Sequence, residues 1–379
     1  MPRLPLTADP DLRRRHLLAL PGGVEPDEVE VLAASRFLNA RWEDPAGDTP
    51  TQRSRPLTAA FGLRLGGTAA AREPGARVLR LTRHSTLTGP YTVLPDDVVA
   101  LGLPASTELV FDVVATRERG ERPYPGGDRN GLKRAFPDGM PVREEERVLL
   151  WLVAAARRLG GAVRTGEFGV VLVPDMESAI DLTVLTDRWV EPEEALAVVQ
   201  RAAPRARLSV PTSEWNGPMV GAGREEGHPV PGMPEPGGSG LRDTLREHGV
   251  LDPLERRRLM MEAAAFDELM LAAPPAAESF GVLVDLGVDG TVAVEVAEET
   301  ELPPLLRGLP WTERGVVAYR VRWEPMLIEQ LEVEKPSLEH RVARTRAAPV
   351  VMAVTRALHA AVGGEIADEA DFLIDPADL

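Results

Sequence analysis

The same short landmarks occur twice in this chain, in one order, and a repeated unit restricts the fold more than any single segment does. Phe61 and Gly62 precede one strand-like run, and Phe280 and Gly281 open another. TVLP at 92–95 leads to Gly102, Leu103 and Pro104, as TELP at 300–303 leads to Gly308, Leu309 and Pro310. The apolar runs ELVFDVV and GVVAYRV follow. Each half then has a long helical pattern closed by two glycines, Gly160 with Gly161 and Gly363 with Gly364. Each ends in a Phe-containing strand with Pro and Asp at its close, FGVVLVPD at 168–175 and FLIDPAD at 372–378. A tandem duplication accounts for this order. It predicts two related lobes packed about a pseudo-twofold axis, with a groove between them. The first copy then carries larger inserts and an extra strand–helix–strand at 179–210.

Periodicity sets the character of each lobe. In RVLRLTRHS (77–85) side chains alternate with the period of a half-buried strand. ELVFDVVAT (108–116), FGVLVDLG (280–287) and TVAVEVAEE (291–299) are also strand-like, and Asp289 with Gly290 between the last two signals a hairpin. VREEERVLLWLVAAARRLGG (142–161) places acids in a first helical turn, arginines in the last and glycines at the stop. Before these, residues 9–20 and a segment from Glu25 have helical patterns. The expected fold class is α+β: two related lobes of mainly antiparallel sheets with flanking helices, plus an N-terminal helical arm. The expected divisions are the arm at 1–56, the first lobe at 57–210, a linker at 211–240, and a helical connector plus second lobe at 241–379. Glycine and proline supply over half of residues 217–240, so this stretch buries too little apolar surface to offset its ordering entropy and reads as flexible linker.

Composition narrows the partners. With 379 residues, 44% apolar and 27% charged, the chain has enough apolar side chains for two cores. The formal charge of −16 opposes nucleic acid and anionic membranes, whose attraction depends on basic surface. No cysteine occurs, which removes disulfides and thiolate chemistry and fits a reducing compartment. The apolar stretch Leu17 to Leu20 is shorter than a secretory core needs, so a cytoplasmic location is expected.

Motifs with chemical content are sparse. The six histidines show no metal-ligand spacing, so no metal and no cofactor is predicted. GLRLGG (62–67) and PGGDRNGLKRAF (125–136, with Lys133) lack the order of phosphate loops. RHSTLTGPY (83–91) is the most polar cluster, making His84 a candidate catalytic group and Arg83 a candidate binding group. Asp112, mid-strand between valines, is the other catalytic candidate, because burial raises a carboxyl pKa toward acid–base use. Glu295, Glu298, Glu299 and Glu301 suit a solvated edge strand. Trp311 and Trp323 are candidate partner anchors, since aromatic residues concentrate in interface cores. An acidic, motif-poor, duplicated chain fits a non-catalytic binding or assembly protein whose occupant is a protein partner or a second copy. The alternative is an enzyme acting on a small polar molecule in the inter-lobe groove.

Overall fold

A computed structural model describes residues 1–6, 10–43, 76–209 and 279–379, together with Met261. The chain divides into one unit of Met1–Ser209 with Ser279–Leu379 and another of Val210–Glu278. Apart from Met261, the expected linker and helical connector lie outside the described residues, as do Phe61 and Gly62. The first unit is α+β, with two antiparallel sheets of seven strands each and helices against them. No helix among the described residues is long and apolar enough to cross a membrane.

The first sheet uses β1 (His16–Pro21), β2 (Arg41–Trp42), β3 (Arg77–Arg80), β4 (Thr86–Thr92), β5 (Thr107–Val114), β6 (Ala162–Arg164) and β7 (Val171–Leu172). Its helices are α1 (Pro26–Arg36), α2 (Pro95–Leu101), α3 (Leu132–Ala135) and α4 (Arg143–Leu159). The second sheet uses β8 (Leu182–Thr186), β9 (Arg207–Ser209), β10 (Ser279–Asp285), β11 (Thr291–Glu299), β12 (Val316–Glu324), β13 (Glu365–Asp368) and β14 (Leu373–Ile374). Its helices are α5 (Pro192–Ala202) and α6 (Leu338–Val362).

The strand orders are β2-β3-β4-β5-β1-β6-β7 and β9-β10-β11-β12-β8-β13-β14, so the topologies are identical. The register repeats as well. Leu18 stands opposite Phe111 and Val163, while Val184 stands opposite Tyr319 and Ile366. This pairing corrects the expected divisions. The strand–helix–strand at 179–210 is the start of the second lobe, not an insert in the first. It matches the segment assigned to the N-terminal arm: VEPDE at 24–28 and VEPEE at 190–194 each precede or begin the corresponding helix. The landmarks after β4 and β11 and the glycine pairs fall at equivalent places, whereas Phe372 stands at the place of Val170 and not of Phe168. Phe280 and Gly281 do not match Phe61 and Gly62, because β10 is the counterpart of β3.

Residues 16–21 are a strand, where the pattern over 9–20 favoured a helix. Leu17, Leu18, Ala19 and Leu20 are all buried. A central strand covered on both faces reads as a continuous apolar run, which periodicity alone cannot separate from a buried helix. Pairing with β5 and β6 decides it. The repeated glycines share one physical cause. Gly160 and Gly363 take the left-handed φ values of 67° and 71° where the long helices stop. A Cβ on the following Gly161 or Gly364 would collide with the carbonyl oxygen of Ala19 or Leu185, the equivalent residues of the two central strands.

The cores differ on their second faces. In the first lobe, α1 and α4 cover one face, with Leu18, Phe111, Val148 and Leu152 in contact. Leu4, Leu6 and Leu12 cover the other, over Leu17 and Val110. In the second lobe, α5 and α6 cover one face through Val198, Val351, Val354 and Leu358. Its other face has a smaller cluster of Leu185, Leu306, Val316 and Ala318, and elsewhere carries polar side chains. Thr183 occupies the place of Leu17, and Arg320 that of Asp112. β11 is an interior strand, not an edge, and its exposed Glu295 belongs to this polar face.

The lobes do not meet by a reciprocal, twofold contact. The β13–β14 turn of the second lobe places Phe372 in the core of the first. Its register equivalent in the β6–β7 turn of the first lobe, Val170, packs against that same first-lobe core. Such an association is heterologous, pairing two different surfaces.

Candidate functional site

A large recess lies between the lobes, with a volume of about 1170 Å³. One wall comes from the end of α1 (Arg36, Phe37, Leu38), β2 (Arg41), β3 and its turn (Arg80 to Arg83), and Arg147 of α4. The other comes from the end of β11 (Glu299, Glu301, Leu302), Arg307, Arg320 of β12 and Asp371. Seven arginines face three carboxylates there, so the groove is locally basic in a chain of net charge −16.

Several of these guanidiniums are held in place. Arg36 donates to Asp371 at 2.5 Å, tying the two walls together. Arg320 pairs with Glu299. Arg80 Nε donates to Glu43 at 2.6 Å. Arg147 lies over the Phe37 ring, 5.1 Å from its centroid, and donates to Glu144 at 3.0 Å. Glu144 also accepts from Ser85 at 2.6 Å and from Thr82. Burial alone would raise its carboxyl pKa, but the two hydroxyl donors outweigh that and hold it below its ordinary value. Arg41, Arg83 and Arg307 have no carboxylate within ion-pair distance among the described residues, although Arg307 donates to the Leu302 carbonyl at 2.9 Å and its charge acts on Asp371.

A smaller acidic recess of about 220 Å³ adjoins the groove on the polar face of the second sheet. Asp181 at its rim accepts the Trp323 amide hydrogen at 2.9 Å. Burial, reinforced by Glu369, pushes its carboxyl up to about 6 despite that bond. A raised carboxyl pKa means the folded state binds the proton more tightly than the unfolded chain. Its contribution to stability is therefore complete below pH ~4 and is lost as pH rises through about 6, by at most about 3 kcal/mol. Asp181→Asn keeps an acceptor for Trp323 and should flatten urea-denaturation stability between pH 4 and 7. An unchanged pH slope would contradict this.

The sequence candidates are dispersed. Arg83 is exposed on the groove wall. His84 is exposed in the same turn, beside Glu144. Asp112 is buried and ion-paired with Arg15 at 2.5 Å. It shares the sheet face of Val110, opposite the one on which α4 carries Glu144, so the fold does not bring His84 and Asp112 together. Trp323 is buried, donates its indole N–H to the Asp289 carbonyl at 2.8 Å, and has its ring 4.9 Å from that of His340. Trp311 is half-buried against the small cluster around Leu306.

A buried polar unit that spacing did not reveal links β1 to α4. His16 and Glu145 are 3.0 Å apart, and the Gly166 amide donates to His16 Nδ1 at 3.1 Å. Nδ1 is thus the acceptor, and Nε2 carries the proton given to Glu145. Glu145 also accepts the Glu118 amide at 3.0 Å and an Arg119 guanidinium hydrogen. Burial pushes its pKa up, but these donors outweigh burial and hold it below the usual value. Both carboxylate oxygens are engaged, which is the arrangement of a structural anchor. Among the described residues no group of three or more ligating side chains could hold a metal ion.

Fold and site together define an α+β protein with two seven-stranded antiparallel sheets of the same strand order and a guanidinium-lined groove between the lobes. No protein-family model matches this chain, and no curated protein or solved structure is significantly similar to it.

Proposed function

We propose that the chain is a non-catalytic binding protein, produced by tandem duplication, which holds an acidic protein segment in the groove between its lobes. The observation that carries this reading is the excess of arginines lining the groove of an otherwise acidic chain. Guanidinium groups stay charged at all physiological pH values and donate two parallel hydrogen bonds to a carboxylate, so they recognise acidic side chains better than they move protons. Phe37, Leu38 and Leu302 add apolar contact area. The volume exceeds that of most small-molecule pockets, which favours a peptide. A long polyanion such as nucleic acid would meet the repulsive field of the whole chain, while a short acidic segment meets chiefly the local one.

The test is binding of a fluorescent peptide rich in Asp and Glu with one Leu and one Phe. Because Arg41, Arg83 and Arg307 have no carboxylate within ion-pair distance among the described residues, the triple reversal to Glu should leave the fold intact. It should weaken binding at least about 100-fold, since each charged hydrogen bond contributes about 1.5–3 kcal/mol. Wild-type affinity should fall with added salt, and a Lys-rich peptide of the same apolar content should not bind. Equal binding by the variant, or tighter binding of single-stranded oligonucleotides than of the peptide, would refute the proposal.

A further inference from the structure

Three consecutive large apolar side chains stand in water where β12 ends. Met326, Leu327 and Ile328 are 71%, 53% and 66% exposed, and nowhere else among the described residues are even two such neighbours exposed together. Contiguous exposed apolar surface marks a site of interaction. The fold does not require it. β5 is the equivalent of β12, and the positions that follow it, 116–122, read TRERGER, where the second lobe has EPMLIEQ at 324–330. Acids frame the apolar run. Glu324, Glu329 and Glu332 are exposed, and none has an ion-pair partner among the described residues. The stretch EPMLIEQLE (324–332) therefore carries three negative charges and no positive one. Its backbone is fixed on its own chain. A 3-10 helix over Ile328–Glu332 packs so closely on the first lobe that a Cβ on Gly127 would collide with Glu332. Gln330 Oε1 accepts the Ser337 amide hydrogen at 2.9 Å.

We propose that this segment of one chain occupies the arginine groove of a second copy, so that chains join head to tail. The inference rests on the reading of the groove as a site for acidic protein segments, and it names the segment. Charge and polarity match on both sides. Glu43 and Glu144 pair with Arg80 and Arg147, so seven guanidiniums meet five carboxylates at the groove, and Arg41, Arg83 and Arg307 are exposed. Leu38, 65% exposed, offers apolar surface to the run at 326–328. Two copies of charge −16 repel as wholes, but the screening length at physiological ionic strength is about 8 Å, so the local match governs contact. The segment does not reach the groove of its own chain. Glu299 at the groove pairs with Val316, whereas Glu324 pairs with Thr291 at the other end of the same two strands. Eight residues of extended strand, about 26 Å, separate these ends. A contact between two unlike surfaces is heterologous, and it produces rings or open chains of copies.

The experiment is sedimentation of the full chain over a range of concentrations in about 0.15 M salt. The weight-average mass should climb with concentration to at least about twice that of one chain. A groove variant, Arg41→Glu with Arg83→Glu and Arg307→Glu, and a segment variant, Glu324→Arg with Glu329→Arg, should each sediment as single chains. Mixed in equal amounts they should associate again, because the intact groove of one meets the intact segment of the other and the two reversed surfaces also match. A wild type that stays a single chain at every concentration, or either variant assembling as the wild type does, would overturn the proposal. The acidic peptide used to test the groove separates the two readings. A chain that binds it through the arginines but never self-associates rejects the second copy and leaves the groove reading standing; a chain that does neither rejects both. If a reversal variant does not fold, Met326→Ser with Leu327→Ser and Ile328→Ser takes its place, since these side chains are exposed. Single chains then support the proposal, and undiminished assembly rejects it.

Discussion

Phe372→Ala should destabilise the protein by about 3–5 kcal/mol, the range for removing a buried aromatic ring, and should loosen the coupling between the lobes. Phe372 belongs to the second lobe by sequence and sheet but is 1% exposed within the core of the first. The turn that carries it is rigidly built. Asp368 accepts the amide hydrogens of Ala370 and Phe372 at 2.8 and 3.0 Å, and Asp371 adopts a left-handed φ of 65°. Ion pairs flank it: Arg36 with Asp371, and Arg157 and Arg129 with Glu369. Urea denaturation followed by tryptophan fluorescence should show a broadened or two-step transition in place of a single one. The chain contains its own control. Gly169 of the β6–β7 turn also has a φ of 65°, but the neighbouring Phe168 is exposed, so Phe168→Ala should change stability by less than about 0.5 kcal/mol. Equal effects of the two substitutions would contradict the burial of Phe372 in the first-lobe core.

Glu145→Ala is expected to be as severe, at about 3–5 kcal/mol, because it leaves charged and polar partners buried without an acceptor. Glu145 is fully buried and takes hydrogen bonds from His16, the Glu118 amide and Arg119. Its loss strands His16 between β1 and α4 and frees the chain at 118–119. Urea denaturation measures the loss, and hydrogen exchange at the Glu118 amide should accelerate even where the fold persists. Glu145→Gln keeps an acceptor and should lose less. A stability change below about 1 kcal/mol for Glu145→Ala would show that the buried unit does not anchor the lobe.

Much of the architecture is legible in the chain because local chemistry dictates it. The α4 helix has its acids, its arginines and its terminating glycine in the places a helix dipole and a left-handed cap require. The glycine pairs at 160–161 and 363–364 were visible as repeats, and their cause is the close approach to Ala19 and Leu185. The start of each lobe was hidden, since HLLALP at 16–21 is apolar on both faces. VEPDE and VEPEE were a local signal that could have located it. The groove is foreseeable only as a consequence of two similar lobes. Of its seven arginines, Arg83 alone stood out, because the others are scattered from Arg36 to Arg320 and no spacing rule joins them.

By itself, then, the sequence determined that the chain is α+β, that most of its helices and strands fall where they do, and that short landmarks recur in one order. Those properties depend on periodicity, capping and glycine stereochemistry, which act over a few residues. The tertiary structure alone decided where one lobe ends and the other begins, that the lobes join through unlike surfaces, and that guanidiniums gather in the groove. Strand pairing, the burial of Phe372 across the lobe boundary and the sharing of Glu369 by two arginines are contacts between residues far apart in the chain. Their free energy depends on folded geometry and on the exclusion of water, neither of which is written in a local pattern.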